Sequence, residues 1–168
     1  FGKRPDVLIY PSDIGSLVKR GATSFHASEE IWHDPLKINS EMKPDELNEL
    51  RREWDLVIDI DSEYLDLSKV LALLVIEALE RHGVKNYGIK FSGNKGWHIL
   101  VSGNAFPNEF DGVKKNEGFP EWPRAICEYL MNFLKKEYNK KAGEVMGSVE
   151  KIAERTELSK EEFIESNC

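Results

Sequence analysis

Two aspartates at the end of an apolar run are the first residues in this chain whose spacing could do chemistry. Asp59 and Asp61 follow the run that begins at Leu56. Alternate side chains of a β-strand share a face, so both carboxylates should lie side by side, away from the apolar residues. Carboxylates this close repel one another unless a cation lies between them. Because Mg²⁺ binds one or two carboxylates together with phosphates and water, the pair is a predicted metal site.

Other interpretations of the Asp-x-Asp pattern have to be weighed at this point. Asp61 can simply cap a turn while Asp59 faces solvent on an edge strand. A phosphatase of the Asp-x-Asp type also stays open, although it leaves the second polar group of the chain unexplained. An EF-hand calcium loop fails, because Tyr64 stands where that loop requires glycine and Val70 where it requires a bidentate glutamate.

The second polar group lies in a glycine-containing turn between two apolar segments. Gly93 and Gly96 let the backbone turn tightly and approach a ligand closely. His98 alternates with Ile99, so it can face a cleft while Ile99 packs inward. Hydroxyl, ammonium and imidazole donors that converge on one concavity suit a triphosphate. The predicted nucleotide-binding residues are Lys90, Ser92, Gly93, Lys95, Gly96 and His98.

Three simpler or competing interpretations of this turn exist. It can be a plain hairpin turn, with His98 a half-buried histidine that has no ligand. The Gly-x-x-Gly spacing with a central lysine also occurs in the KH-domain nucleotide clamp, but that clamp joins two helices, and strands are expected on both sides here. A Walker P-loop is excluded, because it needs Gly-Lys-Ser/Thr at the start of a helix.

Length and composition bound the class of protein. The chain has 168 residues, which suits a single domain over residues 1–168. A formal net charge of −7 argues against a basic surface that coats duplex DNA. The two cysteines, Cys127 and Cys168, are too few for a structural zinc site, so no zinc is expected. Without a long apolar stretch or a signal peptide, we expect no membrane partner and a cytoplasmic location, or a nuclear one in a eukaryote.

The elements that must position the two polar groups follow from periodicity and helix-end signals. A strongly apolar segment predicts a helix over 68–82, with Ser68 as N-cap and Gly83 as a left-handed stop. An amphipathic helix over 123–141 comes later in the chain. The order of strand, helix, strand, strand and helix indicates an α+β fold. The three strands are predicted over 55–61, 84–91 and 97–102.

The flanking segments have their own patterns. A capping box at Ser159 and Glu162 opens a helix just before the sequence ends. Because the chain also starts without methionine, we expect a fragment of a longer protein. The remaining predictions are strands over 7–10 and 22–27, a helix over 44–53, a polar loop over 103–121, and a polar helix from 147 onward.

Together the two polar groups resemble the archaeo-eukaryotic primase superfamily, which includes the primase small catalytic subunit and the polymerase domains of bacterial end-joining ligases. Residues 52–61 look like its hydrophobic Asp-x-Asp strand, and residues 90–98 look like its Ser-Gly-x-x-Gly-x-His element. Residues 24–35 are similar to the strand and loop that precede that core. The resemblance covers residues 20–102, and the order, spacing and strand contexts of the two motifs make the pair fairly specific.

The resemblance implies a primase-polymerase catalytic core: a mixed sheet of RNA-recognition-motif type flanked by helices, incomplete at the C-terminus. The implied reaction is template-dependent nucleotidyl transfer. Asp59 and Asp61 would be catalytic and would hold Mg²⁺ or Mn²⁺. Ser92 and His98 would contact the phosphates of the incoming nucleotide, with Lys95 where the family often has Arg or Lys. The implied partners are a nucleoside triphosphate, a single-stranded DNA template, and a second primase subunit or further domains.

The chain departs from the family pattern in two ways. Primase small subunits usually carry a cysteine zinc module between the two motifs, and this interval holds only the predicted helix. The family also uses a third acidic ligand on a later strand, whereas the only aspartate after His98 is Asp111, in a predicted loop. Either the third carboxylate lies beyond Cys168, or the chain is a non-catalytic nucleotide- or nucleic-acid-binding module. In such a module, the candidate template contacts are lysines that can equally form a solvated helix face: Lys114, Lys115, Lys135, Lys136, Lys140 and Lys141.

Overall fold

The computed structural model describes residues 8–147, which form an α+β protein with small antiparallel sheets. The α+β class is therefore confirmed. The described residues divide into two units. One contains the residues up to Asp55 together with Phe106–Phe119, and the other contains Leu56–Ala105 together with the residues from Pro120 onward. Both predicted polar groups lie in the second unit.

Two antiparallel ribbons and two α-helices make up the described part of the first unit. Proline occupies the first position of both helices, where its missing N–H is not needed. One ribbon pairs β1 (Glu30–Trp32) with β2 (Arg51–Trp54), and the other pairs β6 (Glu109–Phe110) with β7 (Val113–Lys114). The elements are α1 (Pro11–Lys19), β1 (Glu30–Trp32), a 3₁₀ helix (Pro35–Lys37), α2 (Pro44–Leu50), β2 (Arg51–Trp54), β6 (Glu109–Phe110) and β7 (Val113–Lys114).

The centre of the first unit combines aromatic rings with a buried ion pair. Trp54 is fully buried, and its ring centroid lies 4.9 Å from that of Phe106 and 6.4 Å from that of Phe119. The buried guanidinium of Arg51 donates from two nitrogens to Oε1 of Glu30, at 2.9 and 2.6 Å. The same guanidinium lies 4.8 Å from the centroid of the Phe119 ring. A planar cation that is both paired and stacked fixes β1, β2 and Phe119 to one another.

Lys115 belongs to this centre, so the hypothesis that it contacts a template is wrong. Its side chain is 10% exposed, and its Nζ lies 3.5 Å from Oε2 of Glu53. Its carbonyl oxygen accepts a hydrogen bond of 2.7 Å from Nε1 of Trp54. An ammonium that is buried beside a carboxylate is not presented to a nucleic acid.

A three-stranded antiparallel sheet and two α-helices make up the described part of the second unit. Its strands are β3 (Leu56–Ile60), β4 (Gly88–Phe91) and β5 (Trp97–Val101), in the order β3-β5-β4, with β5 paired to both neighbours. Along β3, Leu56, Ile58 and Ile60 are buried while Val57 and Asp59 are exposed, as the alternation predicts. The elements are β3 (Leu56–Ile60), α3 (Leu65–Arg81), β4 (Gly88–Phe91), β5 (Trp97–Val101), a 3₁₀ helix (Gly103–Ala105) and α4 (Glu121–Met146).

The helices of the second unit pack on one another and form its core with the sheet. The ring of His82 joins the C-terminal end of α3 to α4: Nδ1 lies 2.7 Å from the carbonyl oxygen of Ala78, and Nε2 lies 2.8 Å from the hydroxyl of Tyr129. Since a carbonyl only accepts, Nδ1 donates to Ala78, and the remaining ring nitrogen, Nε2, pairs with the hydroxyl of Tyr129. The buried apolar residues of this core include Leu56, Ile58, Ile60, Leu67, Leu74, Val75, Ala78, Leu79, Ile99, Val101, Leu130 and Leu134.

The elements of the second unit lie close to the sequence predictions, with shifted ends. The strand β4 begins at Gly88 rather than at residue 84, and α4 extends beyond 123–141 in both directions. The helix α3 begins at Leu65, so Tyr64 and not Ser68 is its N-cap residue. The sheet is antiparallel over its described strands and not mixed.

The sequence predictions fail mostly in the first unit. Residues 22–27 form no strand, and the strand expected over 7–10 is absent from its described part, 8–10. The helix predicted over 44–53 is wrong in its second part, because residues after Leu50 pair with β1. The loop predicted over 103–121 contains the β6–β7 hairpin. The error after Leu50 follows from pairing with a distant segment, which outweighs local propensity.

Predictions for residues 148–168, including the capping box at Ser159 and Glu162, lie outside the described residues. Within residues 8–147, no helix combines the length and the apolar character that a membrane crossing requires.

Cys127, half-buried on α4, gives a first testable prediction. Burial raises the pKa of its thiol, so less of the reactive thiolate is present at pH 8 than in an exposed cysteine. In a Cys168→Ser variant, iodoacetamide should therefore modify Cys127 several-fold more slowly in the folded protein than in urea. Mass spectrometry of timed samples measures both rates. Equal rates in the folded and unfolded protein would contradict the burial of this thiol.

Candidate functional site

A row of three polar residues crosses the sheet of the second unit. Asp59 on β3 lies directly opposite His98 on β5, and His98 lies opposite Lys90 on β4. Residues that face one another across antiparallel strands share a face of the sheet. This face is the one opposite Ile58 and Ile99, which are buried. Three side chains of different charge and chemistry are thus aligned on the more exposed side of the sheet.

Asp59 and His98 are in direct contact within this row. Oδ1 of Asp59 lies 3.3 Å from Nε2 of His98. The Asp59 side chain is 65% exposed and that of His98 is 30% exposed, so the carboxylate keeps most of its surface open to a ligand. At this exposure the pair contributes little to stability.

The turn between β4 and β5 is closed by two hydrogen bonds between its first and last residues. The backbone N–H of Ser92 donates to the carbonyl of Gly96 at 2.9 Å. The N–H of Gly96 donates back to Oγ of Ser92 at 3.0 Å. Because Oγ accepts in this bond, the hydroxyl proton of Ser92 can be donated to a further acceptor. Gly93 has φ of 98°, a left-handed conformation that favours glycine.

Asp61 and Gly96 bring the two predicted polar groups into contact. A Cβ atom added to Gly96 would lie 2.5 Å from Oδ1 of Asp61, 2.7 Å from the carbonyl oxygen of Ile60 and 3.0 Å from Oγ of Ser92. The Asp61 carboxylate, the end of β3 and the Ser92 hydroxyl therefore surround the Cα of Gly96. Only glycine permits this approach, so the turn and the Asp-x-Asp segment form one continuous surface.

The two lysines of the predicted site have exposed side chains. Lys90 lies at the β4 end of the polar row, and Lys95 lies in the turn. Each ammonium sits on a long flexible stem, which lets it reach a phosphate chain as a point charge. Their placement is compatible with that role.

An apolar row borders the polar row on the same face. Val57 lies opposite Leu100, which lies opposite Gly88, and the two side chains are 36% and 38% exposed. A Cβ atom on Gly88 would meet only Cβ of Leu100, at 3.9 Å. No contact within the fold requires glycine at position 88. Because Gly88 has no side chain, the surface of this row is low at its β4 end. The face is thus polar near the turn and apolar one residue pair further along the strands.

One contact at this site has no signal in the sequence. Oγ of Ser68, on α3, donates a hydrogen bond of 2.6 Å to the carbonyl of Lys95 in the turn. The sequence pattern assigned Ser68 to the start of the helix, because serine is a common N-cap. The bond joins residues that are distant in the chain, so only the packed structure reveals it.

The carboxylates fit a hard divalent cation by their chemistry. Asp59 and Asp61 offer exposed oxygen donors, which suit Mg²⁺ or Mn²⁺ when substrate phosphates and water complete the coordination. Among residues 8–147, no group of three or more His, Cys, Asp or Glu side chains is arranged to hold a metal ion. Asp111 belongs to the first unit, where it lies in the β6–β7 turn with φ of 50°.

Comparisons with known proteins give one relative. No family model matches the chain, and no solved structure matches it. An 84-residue stretch, 49% of the chain, is 39% identical to uncharacterized protein MJECS07 of Methanocaldococcus jannaschii. The chain spans 18% of the length of that relative, which is therefore a much longer protein.

Proposed function

We propose that this chain carries the nucleotide- and metal-binding part of a template-dependent nucleotidyltransferase of the primase or primase-polymerase type. The observation that carries the proposal is the contact between the two polar groups. Asp59 faces His98 at 3.3 Å, and Asp61 lies against Gly96 and Ser92. Metal-binding carboxylates and phosphate-binding donors on one surface suit a nucleoside triphosphate with its divalent cation.

The arrangement of elements supports the same proposal. The order β3, α3, β4, β5, α4 with sheet order β3-β5-β4 corresponds to the first five elements of a split β-α-β-β-α-β fold. We propose that it is the RNA-recognition-motif type of sheet that the primase resemblance implies. On this interpretation, the polar row lies on the open face of the sheet, where a nucleotide is accessible to a template strand.

The proposed reaction joins a 3′-hydroxyl to the α-phosphorus of the triphosphate. A P–O bond forms to the 3′-oxygen, the bond from the α-phosphorus to the bridging oxygen breaks, pyrophosphate leaves, and the hydroxyl proton passes to water. Asp59 and Asp61 would hold the divalent cation, which when bound neutralises charge on the phosphates. Ser92 and His98 would donate hydrogen bonds to phosphate oxygens, and these bonds fix the orientation of the triphosphate.

The lysines and the apolar row would complete the nucleotide site. Lys90 and Lys95 would add positive charge beside the phosphates. The row of Val57, Leu100 and Gly88 offers a shallow apolar surface for the sugar and base. We propose a single-stranded DNA template and a second subunit or further domains as partners, in line with the much greater length of the relative.

The experiment that tests the function is a primer-extension and priming assay on the full-length protein. Single-stranded DNA templates of known sequence are supplied with ribo- or deoxyribonucleoside triphosphates and with Mg²⁺ or Mn²⁺. Incorporation that follows the template sequence supports the proposal. Nucleotide binding without incorporation would favour the alternative, a non-catalytic binding module. A protein that neither binds nor incorporates nucleotides and does not bind single-stranded DNA would refute both.

His98 gives a prediction specific to the phosphate contact. Replacing His98 with alanine should weaken triphosphate binding by about 1.5–3 kcal/mol, the scale of a hydrogen bond to a charged group. Affinity for the template should stay nearly unchanged, because His98 is assigned to the nucleotide. Calorimetric titration with ATP and Mg²⁺ measures the first quantity, and fluorescence anisotropy with labelled single-stranded DNA measures the second.

The matched control for His98→Ala is His33→Ala, at an exposed histidine in the first unit. It should change neither affinity. If His98→Ala unfolds the protein, or lowers nucleotide and template affinity equally, then His98 is a structural residue and its assignment to the phosphates is wrong.

A further inference from the structure

The hydroxyl of Ser68 is buried and aimed at the turn that follows β4. Ser68 is 1% exposed, and its Oγ lies 2.6 Å from the carbonyl oxygen of Lys95 and 3.0 Å from that of Leu65. A hydroxyl has one proton, and the shorter distance identifies Lys95 as its main acceptor. The bond to Leu65 is the ordinary back-bond of a serine within a helix.

Helix formation does not explain this serine. The helix begins at Leu65 after the N-cap Tyr64, and the backbone N–H of Ser68 already donates to the carbonyl of Tyr64 at 3.1 Å. A buried hydroxyl that neither caps nor starts the helix costs free energy unless it is paired. Its partner outside the helix is the carbonyl of Lys95.

Two serines hold the peptide plane between Lys95 and Gly96 at opposite ends. The carbonyl of this peptide accepts from Ser68 at 2.6 Å, and its N–H donates to Oγ of Ser92 at 3.0 Å. Because a peptide is planar, fixing both groups fixes the rotation of the whole unit. The orientation of this peptide also sets the direction in which the Ser92 hydroxyl donates its proton and the direction in which the Lys95 side chain leaves the backbone.

We infer that Ser68 is a positioning residue for triphosphate binding: its buried hydroxyl holds the Lys95–Gly96 peptide so that Ser92 and Lys95 present their donors to the phosphates. This inference rests on the proposed function. With the bond in place, the Lys95 carbonyl points toward α3. Without it the peptide can rotate, which would turn a carbonyl dipole toward the phosphates and release the Ser92 hydroxyl.

The test compares Ser68→Ala with the wild-type full-length protein. Titration with ATP and Mg²⁺ should give an affinity about tenfold lower, the scale of one lost hydrogen bond. In steady-state incorporation, KM for the nucleotide should rise by a similar factor with a smaller change in kcat, because the turn acts in binding. Amide hydrogen exchange at Gly96 should be faster, since the freed peptide can turn this N–H away from Oγ of Ser92.

Two further variants make the result specific. Ser102→Ala removes an exposed hydroxyl at the far end of β5 and should change none of these quantities. Ser68→Cys keeps a side chain of similar size with a weaker donor, and should give an intermediate affinity. If Ser68→Ala does not fold, Ser68→Cys takes its place as the variant that tests the positioning role. Native affinity and native Gly96 exchange in both Ser68 variants would overturn the positioning role.

Failure of this inference can be told apart from failure of the proposed function. A wild-type protein that binds no ATP with Mg²⁺ refutes the function, and the role of Ser68 falls with it. A wild-type protein that binds ATP while Ser68→Ala binds it equally well refutes the role of Ser68 alone.

Discussion

Replacing either Asp59 or Asp61 with alanine should abolish nucleotide incorporation while leaving the protein folded. Both side chains are exposed, and the 65% exposure of Asp59 means that its removal leaves no cavity. Each carboxylate supplies oxygen ligands for the divalent cation, whose neutralisation of phosphate charge is worth several kcal/mol in such reactions. We therefore expect losses of about 10³-fold or more in kcat/KM, the upper range for removing one electrostatic group.

The measurement is incorporation of a labelled nucleotide on a primed template, with circular dichroism and thermal unfolding as checks on the fold. Asp59→Asn and Asp61→Asn keep the shape of the side chain and remove its charge, so they should be as inactive as the alanine variants. Glu63→Gln neutralises an exposed acid just after the Asp-x-Asp segment and should retain activity. Undiminished incorporation by both aspartate variants would remove these residues from the mechanism.

The second unit could be predicted because its signals are local. The alternation of apolar residues from Leu56 to Ile60 defines β3 and its two faces without any other segment. The two glycines of the turn likewise separate β4 from β5 along the chain. The register between the strands could not be predicted from these local signals. That Asp59 faces His98 depends on how β3 pairs with β5, and periodicity within each strand does not determine it.

The strands of the first unit could not be predicted, because contacts with distant segments and not local signals determine them. Arg51 lies within the helix predicted over 44–53, but it pairs with β1 instead, as does Trp54. What decides the outcome is a set of distant partners: Glu30 for the guanidinium of Arg51, and Phe106 for the ring of Trp54. Ser68 shows the same effect within the second unit, because its hydroxyl serves a carbonyl in a distant turn rather than the helix start.

Replacing Gly96 with alanine should damage both the fold and the proposed site. The added Cβ would lie 2.7 Å from the carbonyl oxygen of Ile60 and 2.5 Å from Oδ1 of Asp61. The Asp61 side chain can rotate away, but the Ile60 oxygen belongs to the backbone of β3, so the turn itself must shift. Overpacking of this kind typically costs about 1–3 kcal/mol of stability. A displacement of about 1 Å in the turn could cost about 10²-fold in incorporation.

Urea unfolding and nucleotide incorporation measure the two effects of Gly96→Ala. The matched control is Gly143→Ala in α4, where a new Cβ meets no atom within 4 Å. Since glycine within a helix is about 0.5–1 kcal/mol less favourable than alanine, this control should be slightly more stable than wild type. A Gly96→Ala protein with native stability and activity would show that the turn does not lie against the end of β3.

Combining Gly96→Ala with Asp61→Ala separates the two clashes. Removing the Asp61 carboxylate eliminates the contact at 2.5 Å but leaves the backbone oxygen of Ile60 at 2.7 Å. The double variant should therefore be more stable than the sum of the single effects predicts, by about 0.5–3 kcal/mol as for residues in direct contact. It should still be less stable than Asp61→Ala alone, because the Ile60 oxygen cannot move away. Strict additivity would mean that the Asp61 carboxylate moves away from the new Cβ at no cost, so that the turn does not hold Asp61 in a fixed position.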